Sequence, residues 1–292
     1  MHSSPDQYDR DRFDARSGCA QDTKVKRSVT LQNSPGAWIV QPDHKPHYER
    51  VSVGKVPFEV TDLTQATGRV LTLVRDHNPL PIRLANAYCV ATASKDHTYL
   101  RLLNDVGLNF PDGTPVVWFM RSRARTSKPS RVRGPSLFRE VLDKGQQSGI
   151  SHFFLGTTPS TLTALQNEVK RMYPLANIRG TLSPAFGPLS DKFYSEAVSA
   201  IERASPDIVW VALGSPKQDF AAVEICKRTN VTCIGVGAAF DFVAGTANEA
   251  PEWIQANGIE WLFRLATDPK RLWRRYIFGN ITFLRTALTN RR

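Results

Sequence analysis

Four short stretches of this chain carry residues whose types and spacing could do chemistry. The first is Phe110-Pro111-Asp112-Gly113-Thr114-Pro115. An acid in a glycine turn stands clear of its neighbours and can take a proton from a reacting hydroxyl. The same spacing equally suits an Asx-turn, in which Asp112 only caps backbone, and from spacing alone that is the plainer reading. The second is Gly156-Thr157-Thr158-Pro159-Ser160, where hydroxyls and free N–H groups at a helix start can hold an anion or simply cap the helix. The third is Gly214-Ser215-Pro216-Lys217-Gln218-Asp219, in which Lys217 can meet a phosphate and Gln218 a base or a sugar hydroxyl. The fourth runs from Gly235 through Gly237 and Phe240-Asp241-Phe242 to Gly245. It lacks a GxGxxG that opens a helix and is followed by a distant acid, so a dinucleotide fingerprint is weak. Asp241, set between two phenylalanines, needs a polar partner if buried. A uracil or a ribose would serve.

Charge adds a fifth feature. The 292 residues carry a formal net charge of +11, which favours an anionic partner: nucleic acid, a phosphorylated substrate or an anionic membrane. Residues 264–292 hold eight cations (Arg264, Lys270, Arg271, Arg274, Arg275, Arg285, Arg291 and Arg292) against the single acid Asp268. A second cluster runs from Arg121 to Arg133. In the last segment Leu272, Trp273, Tyr276, Ile277 and Phe278 alternate with the arginines, a pattern suited to a membrane interface or to forked hydrogen bonds on a diphosphate. A solvated basic face is the plainer alternative.

Elements must position these residues. Residues 1–50 are polar, charge-mixed and without period, and read as a disordered tail. Order is expected from Val51: strand at 51–60 with a turn at Gly54, helix at 62–75, strand at 81–85, one helix at 87–103, a turn over Leu108–Pro115, and helix at 135–146. From Ser151 the rhythm becomes regular. Strands at 152–155, 177–181, 208–213 and 231–234 alternate with helices at 160–173, 191–204 and 220–228. The fold class expected is α/β: a Rossmann-like, doubly wound, mostly parallel sheet, with a helical C-terminal appendage over 251–292. The core is expected over 51–250, in two sub-regions of about 51–147 and 148–250. Two strand ends bearing Gly-rich turns are how such a sheet makes a ligand crevice. Cys19, Cys89, Cys226 and Cys233 form no CxxC and read as free thiols rather than a metal site or disulfide framework. No apolar run is long enough for a transmembrane helix, and no signal-peptide h-region opens the chain.

With these motifs in order, the chain resembles the WecG/TagA/CpsF family of bacterial glycosyltransferases over about Val51–Leu284. Arg83-Leu84-Ala85-Asn86-Ala87 resembles the family's early Asn-containing strand end, Asp112-Gly113-Thr114-Pro115 its D-G-x-P turn, and Arg131-Val132-Arg133-Gly134 its R-x-x-G segment. Gly214–Asp219 resembles G-x-P-x-Q-E, and Gly235–Gly245 resembles G-V-G-A-x-F-D-x-x-A-G. Glu249-Ala250-Pro251-Glu252-Trp253, Gly258–Leu265 and Asp268–Tyr276 complete the C-terminal signature.

The resemblance implies inverting, metal-independent transfer of a sugar from a nucleotide sugar to a polyprenyl-diphosphate-linked saccharide. The donor would be UDP-linked: N-acetylmannosamine, its uronic acid or glucose. It implies Asp112 as general base and Asn86 as a residue that helps position the substrate near it. Thr157, Gly214, Pro216, Lys217, Gln218, Gly237, Phe240 and Asp241 would form the nucleotide-sugar side. Arg131, Arg264, Arg271 and Arg274 would serve the diphosphate. It further implies no cofactor, no nucleic acid, a peripheral place on the inner face of the cytoplasmic membrane through the basic appendage, and leaves a homo-oligomer open. The chain departs from the family at Leu84, where some members have Thr, at Asp219 in place of Glu, and at Glu249 in place of Arg. Charge alone leaves a nucleic-acid-binding protein as one alternative, and the α/β rhythm leaves a nicotinamide-dependent oxidoreductase as another.

Overall fold

The computed structural model describes residues 49–267 and 269–289; the side chains of 271, 272 and 274–278 lie outside that description, as do the tail reading at 1–48 and Asp268. Arg50–Val53 (β1) and Val56–Glu59 (β2) pair as an antiparallel hairpin. Asp62 caps Leu63–Arg75 (α1) by accepting from Gln65 N. Pro81–Ala85 (β3) is buried throughout. Then follow Ala87–Ala93 (α2), His97–Asn104 (α3), Leu108–Pro111 (β4), Thr114–Arg121 (α4) and Gly134–Gly145 (α5).

Two expectations are corrected here. The single helix over 87–103 breaks after Ala93, because the Asp96 carboxylate accepts from Thr98 N and Tyr99 N and starts a second helix. Leu108–Pro111 is a strand, not part of a turn. Its central Asn109 hides the strand pattern, yet that side chain is fully engaged: it accepts from Arg83 Nε at 2.7 Å and donates to the carbonyls of Pro57 and Leu103.

The regular half matches its reading. Ser151–Gly156 (β5), Pro159–Met172 (α6), Asn177–Leu182 (β6), Asp191–Ala204 (α7), Ile208–Ala212 (β7), Lys217–Thr229 (α8) and Thr232–Gly235 (β8) alternate in order. Ala239–Val243 (α9), Glu252–Ala256 (α10), Glu260–Thr267 (α11) and Pro269–Thr289 (α12) close the chain.

Six strands form one parallel sheet in the order β4-β3-β8-β7-β5-β6. Sequences such as IVWVA in β7 are apolar on both faces because both faces are covered. One cluster packs α1, α5, α6 and α9 around Ile82, Leu84, Phe138, Phe154 and Trp210. The other joins the hairpin, α2, α3, α4 and the end of α12 through Phe58, Tyr99, Met120, Phe283 and Ala287. The connection after β5 runs outward to β6, whereas that after β7 runs inward to β8. Such a reversal opens a crevice beyond the strand C-termini. All four chemistry-bearing turns follow strand C-termini, so the sheet gathers them along one edge.

Candidate active site

Asp112 and Asn86 lie side by side because β3 and β4 run parallel with Ala85 opposite Pro111. Each is the first residue past its strand. Asp112 N donates to the Ala85 carbonyl at 2.9 Å, which locks the two strand ends together. Asn86 is the N-cap of α2, its Oδ1 accepting from Tyr88 N and Cys89 N at 3.0 and 3.3 Å. That fixes the amide plane and leaves Nδ2 without a protein partner among the described residues. Asp112 is half-buried, and its carboxylate makes no hydrogen bond or ion pair to any described residue. Gly113 is the N-cap of α4 with no side-chain cap, so the Asx-turn reading does not hold. Burial raises the Asp112 pKa above its ordinary value, and the charge of Glu260 adds to the rise; Arg264, Arg131 and Arg133 oppose it.

Those arginines arrive from two directions. The segment before α5 lies along β4, with Val132 N on the Pro111 carbonyl at 2.8 Å and the Val132 side chain in the core. Gly134 lets this segment approach β8, since a Cβ there would sit 2.8 Å from the Val236 carbonyl oxygen. Arg131 and Arg133, on either side of Val132, both reach Glu260 at the start of α11. Arg133 makes a fork on Glu260, Nε to Oε2 at 3.0 Å and Nη2 to Oε1 at 3.1 Å. Arg131 Nη1 lies 3.4 Å from Glu260 Oε2 and its Nη2 donates to the Gln255 carbonyl. Arg264, one turn along α11, donates through Nη2 to Glu260 Oε1 and stacks over the Phe242 ring at 5.1 Å. Its buried Nε has no partner. Glu249 extends the network by accepting from Arg133 and Arg139, both at 2.8 Å. Burial pushes the Glu260 pKa up, but the Arg133 hydrogen bonds and the charges of Arg264, Arg133 and Arg131 outweigh it and hold Glu260 below the usual carboxylate value.

The other strand ends bring part of the second set together. Thr157 takes a positive φ after β5, and its hydroxyl faces Asp241 Oδ1 at 3.4 Å. Ser183 Oγ donates to the Thr157 carbonyl at 2.7 Å, tying the loop after β6 to this turn. Lys217 Nζ donates to the Gly187 carbonyl in the same loop and lies 5.9 Å from the Phe186 ring centre. Gln218 is only 3% exposed. Its Oε1 accepts from Gly214 N, and its Cγ and Nε2 would sit 3.2 Å from a Cβ on Gly235, so the side chain is wedged between the two glycine turns. Gly214 and Gly237 both have positive φ, which fits them to these tight turns. Pro216 stands at the N-cap of α8. Phe240 lies wholly in the core against Phe138 and Phe154. Among the described residues no three His, Cys, Asp or Glu side chains gather as a metal site, and Cys89, Cys226 and Cys233 are buried and form no disulfide.

A comparison with known families decides what this edge belongs to. The model of the glycosyl transferase WecG/TagA/CpsF family matches residues 51–292. The chain belongs to that family. It is a glycosyltransferase, and the nicotinamide and nucleic-acid alternatives fall away. It is also 29% identical over 227 residues, 77% of its length and 86% of the relative's, to the N-acetylglucosaminyldiphosphoundecaprenol N-acetyl-beta-D-mannosaminyltransferase of Bacillus spizizenii.

For a glycosyltransferase of this family, three groups at or behind the site were missed as individual residues. Glu260 and Arg133 lie inside quoted motifs, but nothing in the sequence says that residues 127 apart meet. Glu249 was noted only as a departure; its pairing with Arg133 and Arg139 gives it a place in the ion network. The third is a buried set behind the site. Arg83 is fully buried and donates to Asn109 and to the Leu102 and Val106 carbonyls. Its charge acts on Asp219, whose Oδ2 accepts from Tyr99 Oη at 2.6 Å. An arginine amid PIRLA in a core strand was the available signal. Arg271 and Arg274 lie on α12, and their side chains are outside the described set.

Proposed function

We propose that this glycosyltransferase moves a hexosamine-type sugar from a UDP-sugar to a saccharide carried on a polyprenyl diphosphate, with inversion at the anomeric carbon. The observation that carries the reading is the Asp112 carboxylate, without an ion pair to any described residue, beside the Asn86 amide and facing gathered arginines at the strand-end edge. The relative from Bacillus spizizenii, an N-acetylmannosaminyltransferase, supports UDP-N-acetylmannosamine as the first donor to test.

In this reading the acceptor hydroxyl lies between Asp112 and Asn86 Nδ2. Its oxygen attacks the anomeric carbon, the bond from that carbon to the donor diphosphate breaks, and the proton passes to the Asp112 carboxylate. A base in such a position contributes roughly 10²–10⁴ in rate. The raised pKa makes Asp112 a better proton acceptor than a solvated aspartate. Thr157 and Asp241 flank the nucleotide sugar, with Lys217 at the rim. Gln218 shapes both glycine turns from beneath. Negative charge on the leaving diphosphate is met by protein cations, Arg264 and Arg131 first, with Arg271 and Arg274 supplied from α12. No metal or other cofactor enters the reading. The enzyme works on the inner face of the cytoplasmic membrane, held there peripherally by the C-terminal helices.

The test has two parts. A thermal-shift panel of UDP-sugars, with UDP as reference, is expected to single out one donor, which is then assayed for transfer to a synthetic polyprenyl-diphosphate acceptor. Asp112→Asn is expected to bind UDP as the parent does and to lose at least about 10²-fold in kcat. Undiminished transfer by that variant removes Asp112 as the base. An anomer-retained product rules out the single displacement.

A further inference from the structure

An aspartate with three guanidinium groups around it would ordinarily form an ion pair, and a paired carboxylate is a poor base. Asp112 does not. The charged groups that face it among the described residues are Arg264 and Glu260 on α11, and Arg131 and Arg133 on the segment before α5. All three arginines direct hydrogen bonds to Glu260 instead. Glu260 is 7% exposed, so these contacts are little diluted by solvent. Its place is set by the chain just before it. Gly258 turns at φ +72°, and a Cβ there would lie 2.5 Å from Thr114 Oγ1, two residues after Asp112. The start of α11 is thereby seated directly on the catalytic turn.

We infer that Glu260 is a positioning residue for sugar transfer: it gathers Arg131, Arg133 and Arg264 on one side of the site and keeps them from closing onto Asp112. The inference rests on the reading of Asp112 as the base. Two consequences follow from the geometry. Arg264 holds Glu260 through Nη2 alone, leaving Nη1 free of that carboxylate, and Arg131 holds it by one long contact only, so both retain donors for a substrate diphosphate. Arg133, forked on Glu260 and also bound to Glu249, is the fixed post of the set. Nothing recruited from outside is required, because the same carboxylate that orients the arginines also offsets their charge at Asp112.

Glu260→Gln keeps the size and some hydrogen bonding but removes the negative charge. The three arginines then pull on Asp112 unopposed. Its pKa falls, so the acid limb of the kcat profile moves to lower pH, by on the order of one unit. A weaker, partly paired base lowers the plateau, by about tenfold. Glu260→Asp keeps the charge one methylene short: the limb stays where it is in the parent, while kcat falls several-fold. A merely structural residue would change thermal stability and the yield of active enzyme without moving the limb. Coincident limbs for parent and Glu260→Gln overturn the inference, as does a limb that moves equally in the Asp variant. Should Glu260→Gln not fold, Glu260→Asp with unchanged kcat overturns it alone. Failure of the base reading is separate, since it appears as full activity in Asp112→Asn.

Discussion

At the scale of single residues, the polar groups of this protein divide by whether their hydrogen bonds are complete. Asn86 and Asp112 each keep a polar atom without a partner among the described residues at the strand-end edge, as the proposed substrate contacts require. Asp219 is different: it is 1% exposed, has Oδ1 unpartnered, and sits behind the site. Burial pushes its pKa up to about 6, although Tyr99 and the Arg83 charge pull the other way. The unfolded chain therefore gives up this proton at lower pH than the folded one. Between about pH 4 and pH 6 the folded state holds more protons, so the contribution of Asp219 to stability falls as pH rises through that window and is level above it. Asp219→Asn cannot ionise. Its melting temperature, relative to the parent, is expected to improve from pH 5 to pH 8 by the equivalent of on the order of 1 kcal/mol. A difference independent of pH would show that the folded-state pKa is not raised. The sequence offered Asp112 and Asp241 through their turns, because turn chemistry is local, and Asn86 only through the family resemblance. It could not offer Glu260 or Arg83 as site-building residues, because their partners come from distant segments.

At the scale of elements, the strand–helix alternation from Ser151 onward was legible because buried parallel strands are short apolar runs and each helix shows its own period. Errors fell where one side chain overruled the local pattern, Asp96 by starting a helix and Asn109 by hiding a strand. The C-terminal helices were legible as helices, but not where they pack. Phe283 and Ala287 on α12 are buried with the hairpin, α2 and α4, and Arg123 donates to the Ala287 carbonyl. Phe283→Ala is accordingly expected to cost about 3–5 kcal/mol in urea unfolding, and removal of α12 to destabilise the fold rather than leave it intact. A truncated chain with the parent's melting temperature would contradict this packing. Gly258→Ala tests the seat of α11 more locally. Its positive φ and the close approach to Thr114 force the helix start away from Asp112, so kcat is expected to fall at least tenfold with stability changed by only about 1–2 kcal/mol. Unaltered kcat would mean that α11 can shift without consequence to the site.

At the scale of the whole molecule, the proposed function raises the question of how a chain with no described helix long and apolar enough to cross a membrane would reach a lipid-borne acceptor. The answer we favour lies in the second apolar stripe of α12. Trp273, Ile281, Leu284 and Leu288 are all exposed, and at 100° per residue they fall within one arc of about 80°. The buried stripe of Phe283 and Ala287 faces the core, and Ile281, Leu284 and Leu288 are exposed beside it. Basic residues surround it in sequence, from Lys270 to Arg285. An amphipathic helix with a cationic border lies at a lipid interface by apolar insertion plus attraction to anionic headgroups, about 1 kcal/mol for each cation near the surface. Flotation is expected to carry the full-length protein with vesicles containing phosphatidylglycerol but not with pure phosphatidylcholine, and roughly 0.5 M salt is expected to weaken that binding because the charge term is screened. Ile281→Ser with Leu284→Ser removes apolar surface without entering the core. The double variant should float poorly, keep the parent's melting temperature, and retain transfer to a short-chain, water-soluble acceptor while losing it on the membrane-borne one. Equal flotation of the parent and the double variant would detach membrane binding from this stripe. Loss of transfer on both acceptors would instead place the stripe in the catalytic machinery.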